Sequence, residues 1–249
     1  MVKKTTKATS AAPQGAADVI LQEETRPTVG RYMYFVIGYF FLAFCWQMAK
    51  VADAVKDRWY VFDPESLHQV AQAAVAAAPG DMPAIVDFIY GNLSATYPPS
   101  QIRLNPDNTE WMFNNAGGAM GAMYLIHASI TEYLIIFGTP LGTEGHSGVH
   151  TADDYFNILV GEQWAFQPGS YEKEVYGPGD VHHLPRGMVK QYKMHEGCFA
   201  LEYARGWIPP MLPFGYADTF FSTLDFFTLW KTSVTTGREM IGNLLIGKI

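Results

Sequence analysis

Several ionisable residues stand where the hydropathy pattern calls for hydrocarbon. Glu202 lies in Cys198-Phe-Ala-Leu-Glu-Tyr-Ala204, a strand-like run with no other charge before Arg205. Glu132 and Tyr133 interrupt the apolar stretch Tyr124–Phe137, where alternation groups Glu132 with Ala128, Ile130 and Leu134. A carboxylic acid kept from water tends to hold its proton, its pKa rising by up to about 3–5 units. That prepares a proton donor for work at neutral pH. The same pattern fits a structural carboxylate bonded to backbone groups or to Arg205. The residues alone leave both readings open.

A second cluster, Gly142-Thr-Glu-Gly-His-Ser-Gly-Val-His-Thr-Ala-Asp-Asp-Tyr155, gathers Glu144, His146, His150, Asp153 and Asp154. A third is Asp180-Val-His-His183. Histidines and acids in a β domain could ligate a metal, as in metal-binding cupins. However, the His-x-His with a downstream Glu and a second His that such sites use is absent, so the expectation is no metal. The Gly-rich stretch Asn115–Gly121 lacks the Lys-Ser/Thr of a phosphate loop and reads as tight turns.

The elements that must position these groups follow from composition and punctuation. Apolar residues make up 49% of the 249 residues, charged residues only 16%, and aromatics 14%. That balance fits a protein partly solvated by lipid. The net charge of -7, with no basic cluster beyond the first residues, argues against nucleic acid. Cys45 and Cys198 read as structural thiols. Residues 1–30 read as a disordered tail and 31–49 as a transmembrane helix. Tyr32–Ala49 carries no charge, and eighteen residues rise about 27 Å, close to a bilayer core. Aromatics and the flanking Arg31 and Lys50 suit both interfaces. The basic bias before the segment would put the main domain on the luminal side.

Residues 50–108 read as a helical segment and linker. Asp63-Pro64-Glu65 starts one helix, and Asp81-Met82-Pro83 a second, short one with Ile85, Val86, Phe88 and Ile89 as its apolar face. Asn92-Leu-Ser94 matches a glycosylation acceptor, a triplet common by chance. Over 109–206, short runs between Gly and Pro turns predict strands of a sandwich or small barrel. Residues 207–249 turn helical and apolar. Pro209, Pro210 and Pro213 break the entry, Asp218 caps a helix from Thr219, and a second segment spans 238–246. Charges interrupt both, so they suit a membrane surface or a barrel cover rather than a span.

Asn115–Met123, His127–Tyr133, Gly145-His-Ser-Gly148, Glu202-Tyr-Ala-Arg-Gly206 and Ala217–Leu229 together resemble the type-one sigma non-opioid receptor. With Gly142–His146, His150–Phe156 and Val181–Leu184, the chain is more similar still to the fungal sterol Δ8–Δ7 isomerases of ergosterol synthesis, over roughly residues 30–249. The resemblance implies a mainly β protein with flanking helices (α+β). It implies a cupin-like β-barrel without metal, one N-terminal transmembrane helix and two C-terminal membrane-associated helices. It also implies a homotrimer, the endoplasmic reticulum membrane, and no cofactor. The family's essential glutamate falls on Glu202 and its orienting tyrosine on Tyr133. The receptor's second acid, aligned without gaps, falls on Phe156, so Asp153 or Asp154 must supply it.

For such an isomerase an acid protonates carbon 9 of the sterol, a cation forms at carbon 8, and a base removes a proton from carbon 7. Glu202 with Asp153 or Asp154 would form the acid–base pair. Tyr133 would orient it, and His146 or His182 are lesser candidates for moving protons. Met123, Ile135, Phe137, Phe156, Phe199 and Leu212 would wall the sterol. Cationic amphiphilic amines should bind in place of the carbocation. Two other classes remain open at this stage, a receptor or chaperone binding amines without turnover, and a cupin metalloenzyme.

Overall fold

The computed structural model describes residues 28–102 and 110–249. The chain divides into two compact units, Met1–Val55 and Lys56–Ile249. The first unit contains helix α1 (Thr28–Val55). Its aromatic residues are exposed all round, among them Tyr34, Phe41 and Trp46. By length and composition, Tyr32–Trp59 could cross a membrane, and α1 is compatible with a membrane anchor. The helix is longer than the expected 31–49 because nothing in Lys50–Val55 breaks it. Most of the expected tail lies outside the described residues.

In the second unit, helices α2 (Pro64–Ala77) and α3 (Met82–Thr96) begin as their sequences require. Asp63 accepts from the Ser66 amide at 2.9 Å and Asp81 from the Ala84 amide at 3.2 Å, each followed by an early proline. The buried stripe of α3 is Ile85, Ile89 and Leu93, while Phe88 is exposed. The expected face was therefore turned by about one residue, and the short helix runs for fifteen.

Ten strands follow: β1 (Met112–Ala116), β2 (Ala119–Ala128), β3 (Glu132–Thr139), β4 (Thr143–His146), β5 (Ala152–Val160), β6 (Gln163–Phe166), β7 (Glu174–Tyr176), β8 (Val181–Leu184), β9 (Gln191–Met194) and β10 (Cys198–Gly206). They form an antiparallel six-stranded sheet, β1-β2-β3-β10-β5-β8, and a four-stranded sheet, β4-β9-β6-β7. The fold is thus mainly β with flanking helices. Gly117 and Gly118 turn the β1–β2 hairpin at φ 63° and 85°. A Cβ on Gly117 would stand 2.3 Å from the His146 carbonyl, so only glycine fits this close approach.

The large sheet has two unlike faces. Leu134, Ile136, Leu159, Leu201 and Tyr203 pack with α2 and α3 in one core. Ile135, Phe137, Ile158, Ala200 and Ala204, one residue out of phase, belong to a second core on the opposite face. This two-residue period decides which acid meets which neighbour.

After β10, Pro209 and Pro210 form a 3₁₀ turn and Pro213 lies in the first turn of α4 (Leu212–Asp218). The prolines therefore start helical structure instead of breaking it. Asp218 does not cap a following helix; it accepts from the Gly118 amide at 2.8 Å. The true break is at Leu224, in the left-handed region at φ 55°, and Asp225 caps α5 (Phe226–Leu245) by accepting from the Thr228 amide at 3.0 Å. α5 buries Thr236, Met240 and Asn243 and exposes Phe227, Trp230, Val234, Ile241 and Leu245.

Candidate active site

Strand alternation delivers an acid to the second face. Glu202 on β10 has Ile135 of β3 and Phe156 of β5 as its Cα partners, and all three line one cavity. Met123, Tyr133, Phe137, His146, His150 and His182 line it too, and α4 closes over it with Leu212 and Phe214. Ala204, a small residue on the same face of β10, also lines it and takes up little of the space.

The Glu202 carboxyl makes no hydrogen bond or ion pair with any described residue. What surface it exposes opens into the cavity. Burial first, and then the Asp154 charge, raise its pKa to about 8, with His150 partly offsetting both. Arg205 is no partner. It lies on the other face of β10, its guanidinium 5.6 Å from the rings of Tyr60 and Tyr155.

Asp154 pairs in register with Ala204, so it is a diagonal neighbour of Glu202 on the same face. It is fully buried; one carboxyl oxygen meets His150 Nδ1 in a short contact, and Oδ1 has no hydrogen-bond partner. Burial raises the Asp154 pKa, and His150 pulls against it. Burial alone would lower that of His150, but the bond and charge of Asp154 leave it raised. Three groups with displaced pKa values thus meet beside an apolar space. Asp153 is elsewhere. It is half-exposed on the opposite face, 3.6 Å from His183 and accepting from the Arg186 amide.

The Tyr133 phenol borders the cavity but donates to Met123 Sδ at 3.7 Å, not to Glu202. Burial, with Glu202 nearby, pushes its pKa up to about 12. His146 Nδ1 accepts from the Gly148 amide at 2.8 Å, which commits that nitrogen to the loop. His182 is held near pKa 4 by burial and by Lys190. It is neutral at pH 7 and no ready proton carrier. Phe199 does not reach the cavity. Its parity is that of Leu201 and Tyr203, and its ring lies over Gly138, where a Cβ would stand 2.2 Å away. Met123, Ile135, Phe137, Phe156 and Leu212 are cavity residues.

Two features went unread in the sequence. His150 entered only as one of a cluster that could ligate a metal, although its spacing from Asp154 was a usable signal for an acid–base pair. The buried Lys190, in an ordinary polar run, gave none. Among the described residues no group of three His, Cys, Asp or Glu side chains is placed to hold a metal ion.

The model of the ERG2 and Sigma1 receptor like proteins matches residues 39–248. This chain belongs to that family. It is 66% identical to the C-8 sterol isomerase erg2 of Aspergillus fumigatus over 78% of this chain and 80% of that one. It is 43% identical to the sigma non-opioid intracellular receptor 1 of Xenopus tropicalis, over 56% and 63%. Among solved structures it is similar to a cupin family protein with a double-stranded β-helix fold from Methanocaldococcus jannaschii. That likeness has a TM-score of 0.32 and 13% identity, covering 45% of this chain and 93% of that one.

Proposed function

We propose that this protein is a C-8 sterol isomerase that moves the ring double bond from Δ8 to Δ7 by proton addition and removal. The observation that carries this reading is the Glu202 carboxyl, unpartnered in an apolar cavity and poised near pKa 8 beside a second displaced acid. The relative from Aspergillus fumigatus, named for this activity, supports it.

Glu202 holds its proton at neutral pH and donates it to carbon 9. The electron pair of the 8–9 bond forms the new C–H bond, and carbon 8 becomes a tertiary cation. The Asp154–His150 pair takes the proton from carbon 7, whose C–H electrons close the 7–8 double bond. The sum is redox-neutral and calls for no cofactor. A proton must then return from Asp154–His150 to Glu202, and the coupling of the two acids across one strand pair suits that step. Alkenes are weak bases, so the apolar wall matters. It keeps water from the cation and strengthens the field of the neighbouring anion. Tyr133 lies within reach of Glu202's field and would orient it after a rotamer change.

A cationic amphiphilic amine would occupy the same site as a mimic of the cation. We further place the protein in the endoplasmic reticulum membrane through α1, with the apolar outer face of α5 against the bilayer, as a homotrimer. A receptor without turnover is the second reading, favoured by the likeness to the sigma receptor. Purified protein incubated with a Δ8 sterol, with product followed by mass spectrometry, separates the two. Product formation that is lost in Glu202→Gln is expected. Amine binding with no product would leave the receptor reading.

A further inference from the structure

Gln163 on β6 is 1% exposed and borders the cavity. Its side-chain oxygen accepts from His182 Nδ1 at 2.7 Å. The direction of that bond is dictated by the group beyond it. Lys190 Nζ stands 3.2 Å from His182 Nε2, and an ammonium can only donate. Nε2 must therefore offer its lone pair, Nδ1 must carry the proton, and the amide oxygen of Gln163 must face it. Lys190 is in turn held by Glu174 at 2.5 Å, and Glu174 also accepts from the Tyr176 hydroxyl at 2.7 Å.

This relay fixes the Gln163 amide and turns its nitrogen the other way. Nε2 is buried and has no hydrogen-bond partner among the described residues. A buried donor left unsatisfied loses its hydration without return, so a ligand acceptor is the natural complement. The acceptor should be neutral. Lys190 and Glu174 cancel each other's charge, and His182 is uncharged.

Its position suggests which acceptor. Glu202, Phe156 and His182 are successive Cα partners across β10, β5 and β8. Glu202 and His182 are thus two strand spacings apart, about 10 Å, and Gln163 is one hydrogen bond further on. Apolar wall lies between, including the Phe156 ring. An acid at one place and a neutral donor across a hydrocarbon gap match a rigid fused-ring body with an oxygen at the outer edge of the ring next to the reacting one.

We propose that Gln163 Nε2 donates to the 3-oxygen of the sterol and so determines which way round the sterol lies against Glu202. This assignment rests on the isomerase reading above, and its failure can be told from the failure of that reading. Full-length protein in detergent or lipid nanodiscs would be given three Δ8 sterols differing only at carbon 3, bearing a hydroxyl, a ketone or hydrogen alone. The wild type should lose about 5- to 100-fold in kcat/KM on the 3-deoxy compound, mainly through KM. It should keep the ketone within a few-fold, since an amide N–H donates equally well to a carbonyl.

Gln163→Glu preserves shape and the acceptor for His182 but presents an oxygen to the ligand. Measured against its own rate on the 3-deoxy sterol, it should lose the ketone selectively. Equal wild-type kcat/KM on all three compounds would overturn the Gln163 assignment and leave the isomerase reading standing, with no variant needed. An equal loss by Gln163→Glu on all three would also overturn it, as a structural role. Turnover of none of them by the wild type would overturn the isomerase reading itself.

Discussion

The large sheet buries a glutamate on each face, and the two have opposite surroundings. Glu132 opens β3 on the helix-facing side. It accepts from the Val61 amide at 2.8 Å, the Phe62 amide at 3.0 Å and the Tyr203 hydroxyl at 2.6 Å, and ion-pairs with Lys248 at 2.5 Å. Lys248 also bonds to the Trp59 carbonyl and Thr131 Oγ1, and Thr131 to the Ile249 carbonyl. The carboxylate thereby ties the segment before α2, the start of β3 and the end of the chain into one polar knot. Glu202, on the cavity side of the adjacent β10, has an acid for a neighbour and no bonding partner. Burial by itself says little about a carboxyl. The supply of donors decides whether it holds structure together or stays available for a substrate.

If that contrast is right, Glu202→Gln has the largest effect on catalysis. Sterol turnover should fall about 10²–10⁴-fold or more, while thermal unfolding shows no loss of stability. Stability should even improve at alkaline pH. An unfolded glutamate ionises near pH 4.3, about where model peptides do, and the folded one only near 8. The unfolded state therefore releases its proton first as pH rises, and the wild type loses stability between those values and then levels off. The variant should lack that decline. A variant as active as the wild type, or one with the same pH dependence of melting, would remove Glu202 from the centre of the mechanism.

Glu132→Gln should do the reverse, destabilising by about 3–5 kcal/mol because Lys248 is left buried without its counterion. The protein that remains folded should retain its kcat. Lys248→Met should destabilise in the same direction, and the double variant should cost less than the two single changes added. Additive losses in chemical denaturation would mean that the two side chains do not work as a pair.

Asp154→Asn tests the cavity face more gently. It removes the base, lowering kcat, and also a charge that raises the Glu202 pKa. The alkaline limb of kcat/KM, expected near pH 8 in the wild type, should move to lower pH. A limb that stayed in place would show the two acids to be uncoupled. Smallest of all, Tyr203→Phe removes one hydrogen bond to Glu132 and should cost about 1–3 kcal/mol of stability, with the pH profile unchanged.

Much of this arrangement was legible in the residues. The helix starts at Asp63-Pro64 and Asp81-Met82-Pro83, the strand-rich middle and the long apolar segment all follow from local rules, which operate within a few residues. Glu202 stood out because a charge within an apolar strand is conspicuous. What escaped reading depended on phase or on distant partners. Asp153 and Asp154 are one residue apart and chemically alike, yet the strand sends them to opposite faces. Phe199 looked as suitable a wall as Phe137, but its parity turns it over Gly138. Asp225, one of the charges that interrupt the apolar C-terminal segments, is the cap that begins α5, because Leu224 breaks the chain just before it.

By itself the sequence determined where α2 and α3 begin, that the middle is β, and that two glutamates lie in apolar company. Propensity, capping and hydropathy are encoded locally, and each needs only near neighbours. The division of labour between those glutamates was decided only in three dimensions. Lys248 lies 116 residues beyond Glu132 along the chain, and no local pattern announces that the last turn returns to neutralise it. The pairing of Asp154 with Glu202 and the unsatisfied amide of Gln163 likewise arise from strand register and hydrogen-bond direction, which exist only once the sheets have formed.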